Sequence, residues 1–128
     1  MIIRIDTVST TPIYVQLRNE IVKGIGRGEL SEGECLPTVR QLAADLGVNS
    51  MTVSKAYQTL KAEGFIETDR RRGAIVSSGV QSGAQPDDRF REKLEGELEL
   101  LSAEAKIKGL GREEFIHLCS MAFAGMEG

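Results

Sequence analysis

A mostly α-helical fold with one small β-hairpin is predicted by three observations on this 128-residue chain. Residues 38–62 read as helix, tight turn, helix. Residues 65–77 read as two short strands joined by Asp69-Arg70-Arg71-Arg72-Gly73. Beyond a Ser/Gly/Gln-rich stretch, Phe90, Leu94, Leu98, Leu101 and Ala105 fall at the spacing of one helical stripe. Together these describe a winged helix-turn-helix followed by a helical tail. The expected boundaries are 1–78 for the winged domain, 79–86 for a linker and 87–128 for the tail.

Each element has a local reason. Ile2, Ile3, Arg4 and Ile5 suggest a short strand or extended arm. Thr11-Pro12 opens the first helix, with proline at a tolerated first-turn position. Ile13, Leu17, Ile21 and Ile25 form its buried stripe, and Gly24, Gly26 and Gly28 should fray its end before Leu30. Residues 29–36 read as a loop. Thr38 and Gln41 make a capping box for the second helix, whose inner face is Leu42, Ala43 and Leu46. Gly47 stops that helix in a left-handed cap, and Asn49 caps the next. Val53, Ala56, Tyr57 and Leu60 point inward until Gly64. A turn of only Gly47, Val48 and Asn49 forces a steep crossing of the two helices. SSGVQSGAQP reads as linker. Residues 87–108 read as one long helix, Gly109-Leu110-Gly111 as a turn, and residues 112–124 as a second helix faced by Phe115, Cys119, Ala122 and Phe123.

Composition bounds the function. Hydrophobic residues make up 41% and charged residues 27%, the balance of a globular chain. MIIRIDTVST has neither the apolar run nor the cleavage pattern of a signal peptide, and no stretch approaches the ~20 apolar residues of a membrane span, so the expectation is a cytoplasmic protein with no membrane partner. Cys35 and Cys119 lie far apart beside a single histidine, His117. Neither a metal site nor a disulfide is expected, and Cys119 should pack as a small hydrophobe. With no convergent carboxylate pair and no phosphate-binding glycine loop, no catalytic residue and no cofactor are expected, and the chain does not read as an enzyme. Net charge is −3, but residues 1–80 hold 10 Lys/Arg against 9 Asp/Glu and residues 81–128 hold 6 against 10. The acidity belongs to the tail, and phosphates feel local charge because screening acts over about 8 Å in physiological salt.

On the second helix of the pair, Asn49, Ser50, Met51, Thr52, Ser54, Lys55 and Gln58 are left outward. Short polar side chains let a helix N-terminus approach a groove and phosphates closely. A Ser/Thr/Asn-rich first turn also occurs at ordinary helix starts. Its place after a tight turn and before an arginine-tipped hairpin is what points to DNA. Arg70, Arg71 and Arg72 could be a solvated run, yet three adjacent cations repel unless an anion neutralises them, and a phosphate backbone would do so. Gly73 removes a side chain where backbone could approach DNA. Arg40 protrudes near the start of the first helix of the pair, with no acidic neighbour at helical spacing. The rival reading is a winged helix used as a protein scaffold.

The run LPTVRQLAADLGVNSMTVSKAYQTLKAEGFIETDRRRGAIV, with TPIYVQLRNEIVKGIGRGELSEGE before it, resembles the DNA-binding domain of the GntR family of bacterial transcriptional regulators over about residues 10–77. The resemblance implies DNA contacts at Arg40, at Asn49, Ser50 and Thr52, at Ser54 or Lys55, and at the wing through Arg72 and Gly73. Ser50 and Ser54 stand where some members carry arginine, and Arg71 where a wing glycine is common, so the operator sequence does not follow from it. The short tail resembles that of the YtrA subfamily, whose two helices serve dimerisation. Two helices lack a core of their own and need a second copy or the winged domain to pack on; with the resemblance, Phe90, Leu94, Leu98, Leu101, Phe115, Cys119 and Phe123 are expected to form a dimerisation face. The expected protein is a homodimeric repressor on a pseudo-palindromic double-stranded DNA operator. The sequence names no small-molecule effector, and such a ligand would need the dimer interface or the space between tail and winged domain.

Overall fold

The computed structural model of the chain describes residues 3–78 and 88–127. It divides into two compact units, Met1–Gly83 and Ala84–Gly128. The first holds α1 (Ile13–Gly26), α2 (Val39–Leu46), α3 (Ser50–Ala62), β1 (Ile66–Asp69) and β2 (Gly73–Val76). The second holds α4 (Asp88–Ile107) and α5 (Arg112–Ala124). Ile2, Asp87 and the expected linker at 79–86 lie outside the described residues.

In the first unit three helices and a hairpin enclose one apolar core. Leu17, Ile21, Val53, Leu60 and Val76 are wholly buried at its centre. Pro12 precedes α1 rather than occupying its first turn; its carbonyl accepts from the amides of Val15 and Gln16, both at 3.1 Å. The glycine-rich end of α1 stops short of Leu30, as expected, but in an ordered turn. The helix runs to Gly26, Gly28 adopts φ +81°, and Glu29 and Leu30 donate back to the Gly24 carbonyl, turning Leu30 into the core. Residues 3–5 form an arm without strand pairing, with Ile3 and Ile5 against the core. Gln16 holds the following turn by accepting from the Asp6 amide and donating to the Asp6 and Thr11 carbonyls.

The strands pair antiparallel, from Ile66 opposite Val76 to Asp69 opposite Gly73. Each strand lies one residue from its expected start or end. The expected loop before α2 is more than a loop. Gly33 donates to Val76, Val76 to Glu34, and Leu36 to Ala74, with Cys35 bridged to Ile75, so residues 33–36 lie along the free edge of β2. That covers an edge that would otherwise present unpaired backbone groups.

In the second unit α4 and α5 are joined through Gly109 at φ +89°, where Leu110 donates to the Ala105 carbonyl. No residue of either helix is buried. Cys119 is exposed, because its own unit offers nothing to cover that face. Among the described residues no helix is long and apolar enough to cross a membrane, and no cluster of His, Cys, Asp and Glu could hold a metal ion.

Candidate nucleic-acid interface

The helix pair is fixed by local chemistry. The Thr38 hydroxyl accepts from the Gln41 amide at 3.1 Å while the Gln41 side chain accepts from the Thr38 amide at 3.0 Å. This capping box sets the start of α2 and so the position of Arg40, its second residue. Gly47 follows with φ +68°, a left-handed conformation that costs most side chains about 1–2 kcal/mol. Asn49 then caps α3 by accepting from the Met51 amide at 2.7 Å. Its side-chain oxygen is thereby occupied, leaving the amide nitrogen as its free donor. Tyr57 of α3 closes the pair: its hydroxyl donates to the Pro37 carbonyl at 2.7 Å, just ahead of α2. Burial pushes this phenol up to about 12.

The outward face of α3 follows its pattern in part. Ser50 and Lys55 are exposed, while Thr52 and Ser54 are half-buried. Ser54 meets the Gln58 side chain at 3.4 Å, a long contact that either group can exchange for a ligand. Lys55 reaches sideways, with its ammonium 4.2 Å from the centre of the Tyr14 ring on α1. A cation over an aromatic face at that distance is attracted by the ring quadrupole, so Tyr14 restrains the charge without neutralising it. Sequence spacing carries no signal for this pair, since the two residues meet only through the packing of α1 on α3.

The wing departs from the sequence reading in its electrostatics. One of the three arginines, Arg72, already has an anionic partner within the wing. Asp69 accepts from the Arg71 and Arg72 amides at 2.8 and 3.0 Å, and its other oxygen lies 3.6 Å from the Arg72 guanidinium. Those two amides, more than the guanidinium, hold the Asp69 carboxyl below its usual range. Arg72 also donates to the Gly33 carbonyl at 3.2 Å. It is therefore oriented along the wing, whereas Arg70, Arg71 and Arg40 are exposed and make no side-chain pairing among the described residues. Gly73 has φ +77° and a Cβ there would touch nothing, so the backbone conformation is what calls for glycine at this site. The sequence placed Asp69 in the hairpin loop but gave it no role, although an Asp opening a turn is a known signature.

The structure thus places Asn49 at the N-cap of α3, Ser50, Thr52, Ser54 and Lys55 on α3, Arg40 on α2, and Arg70, Arg71, Arg72 and Gly73 at the hairpin tip, all in one unit. The tail residues Phe90, Leu94, Leu98, Leu101, Phe115, Cys119 and Phe123 belong to the other.

Comparison with known proteins agrees with this architecture. The family model described as bacterial regulatory proteins, gntR family, matches residues 11–76. The chain is 42% identical over 80 residues to the HTH-type transcriptional repressor YtrA of Bacillus subtilis, covering 62% of each. It thus spans about three-fifths of the length of that curated relative. Among solved structures it resembles a transcriptional antiterminator from Listeria monocytogenes EGD-e, at a TM-score of 0.89 and 28% identity over 100% of this chain and 94% of that one. It also resembles the DNA-binding domain of AraR in complex with operator ORR3, at a TM-score of 0.51 and 26% identity over 58% of this chain and 89% of that one.

Proposed function

The chain belongs to the gntR family of bacterial regulatory proteins, and on that premise we propose that it is a sequence-specific, duplex-DNA-binding transcriptional repressor that acts as a homodimer in the cytoplasm. The observation that carries this reading is the outward face of α3, short and polar at its N-terminus, beside a hairpin tipped with three arginines in the same compact unit. In this reading α3 enters the major groove. Asn49, Ser50, Thr52, Ser54 and Lys55 meet bases and phosphates, Arg40 grips the backbone beside them, and the wing lies along the flanking backbone or minor groove. Nothing in the reading calls for a cofactor or a catalytic step.

The homodimer is supported by the tail. Phe90, Leu94, Leu98 and Leu101 are 47%, 42%, 38% and 52% exposed on α4, and Phe123 is 69% exposed on α5. α5 is apolar around most of its circumference, carrying Ile116, Leu118 and Met121 besides Phe115, Cys119 and Phe123. A helix apolar on nearly every side requires burial, and a second copy of the tail provides matching faces. Two-fold symmetry would then present two copies of α3 about one DNA turn apart, ~34 Å or a multiple of it, to a pseudo-palindromic operator.

The experiment is selection from a random pool of duplex DNA by the full chain, followed by footprinting. An enriched motif of two inverted half-sites supports the reading. Retention of all sequences alike, or of none, overturns it and favours the scaffold alternative.

A further inference from the structure

Among the described residues of the first unit, Val8 and Met51 are the two large apolar side chains left in solvent, at 90% and 77% exposure. Val8 belongs to the turn before α1. Met51 is the second residue of α3, flanked by Ser50 and Thr52, with Ser54 and Lys55 one helical turn further on. A single apolar residue on a surface is ordinary. This one occupies the turn that would lie deepest in a groove, on a face otherwise made of hydroxyls, amides and an ammonium. Its backbone is also anchored, since the Met51 amide donates to the Asn49 side chain at 2.7 Å.

Base edges in the major groove present donors and acceptors, and the one apolar group among them is the 5-methyl of thymine. A thioether has no donor and only a weak acceptor, so it gains little from the polar edges and most from that methyl. We propose that Met51 is a specificity-determining residue that selects thymine at one position of each half-site, through contact with its 5-methyl group. The inference rests on the DNA-binding reading above and adds the chemistry of one base position to it.

The test uses the full chain and the duplex it selects. Each thymine is replaced in turn by 2′-deoxyuridine, which removes the methyl and keeps the pairing. Loss of one buried methyl should weaken wild-type binding about fourfold, at one position in each half-site and at no other thymine. Met51→Ala should bind the thymine and deoxyuridine duplexes equally, and Met51→Leu should restore a preference for thymine. Uniform tolerance of deoxyuridine by the wild type, or an equal loss in wild type and Met51→Ala, overturns this inference alone. Failure to select any duplex overturns the DNA-binding reading and this inference with it. Met51 is 77% exposed, so unchanged thermal unfolding of both variants separates contact from folding.

Discussion

Tyr57→Phe removes one hydroxyl from the joint that sets α3 against the entry of α2, and its cost can be worked from the structure. The side chain is 8% exposed and its hydroxyl donates to the Pro37 carbonyl at 2.7 Å. A net hydrogen bond contributes ~0.5–1.5 kcal/mol, and a carbonyl left without its donor in a buried site adds a desolvation cost of ~1–3 kcal/mol. Pro37 is half-buried, so water can partly replace the donor and the lower part of the range applies. The expected loss is ~1–2 kcal/mol at pH 7, or about 4–15 °C in the melting temperature of a domain this small. The same group gives a pH signature. Its ordinary value of 10.0 rises to about 12 in the fold, through burial that disfavours the phenolate. A folded value above the unfolded one means full stability below pH 10 and a loss as pH climbs from 10 towards 12. At about 1.4 kcal/mol per pH unit the wild type loses up to ~3 kcal/mol across that window, relative to Tyr57→Phe. Urea unfolding of both proteins from pH 8 to 12 isolates the effect, because the two differ only in this hydroxyl. Equal stability at pH 7 together with a flat difference curve above pH 10 would refute the reasoning.

Other perturbations address the binding face and the tail. Arg40→Ala and Arg72→Ala should each weaken binding to a selected operator by ~1–3 kcal/mol, read by fluorescence anisotropy, with little change in melting temperature. A binding loss that merely tracks unfolding would count against direct contact. Leu98→Asp with Leu101→Asp should convert a sedimenting dimer into a monomer at micromolar concentration, since both leucines lie on the uncovered stripe of α4. A wild-type chain that already sediments as a monomer would remove the basis for the homodimer.

What could be read from the sequence was what is decided locally. The Thr38–Gln41 box, the left-handed Gly47 and the Asn49 cap each involve residues within three positions of one another, and all three are present. The inward set Val53, Ala56, Tyr57 and Leu60 follows from helical period alone. The pairing of residues 33–36 with β2 was not legible, because backbone hydrogen bonds between segments 40 residues apart need no side-chain pattern. Lys55 over Tyr14 escaped for the same reason. At the wing the sequence placed the arginine run on the hairpin loop but did not reveal the partner that Asp69 gives Arg72. Asp69 neutralises part of the run through a turn whose geometry only the folded hairpin defines. The apolar stripes of α4 and α5 were legible as stripes, but what covers them depends on a second surface that one chain does not encode by itself.

The most direct test of the central claim is affinity for a selected duplex and for a scrambled one across a salt series. If two wings, two copies of Arg40 and two of Lys55 engage about six to ten phosphates, affinity should fall ~10³–10⁵ between 50 and 200 mM salt, despite the net charge of −3. The selected duplex should remain the tighter at every point. A flat dependence on salt, or equal affinity for the two duplexes throughout, would contradict the account.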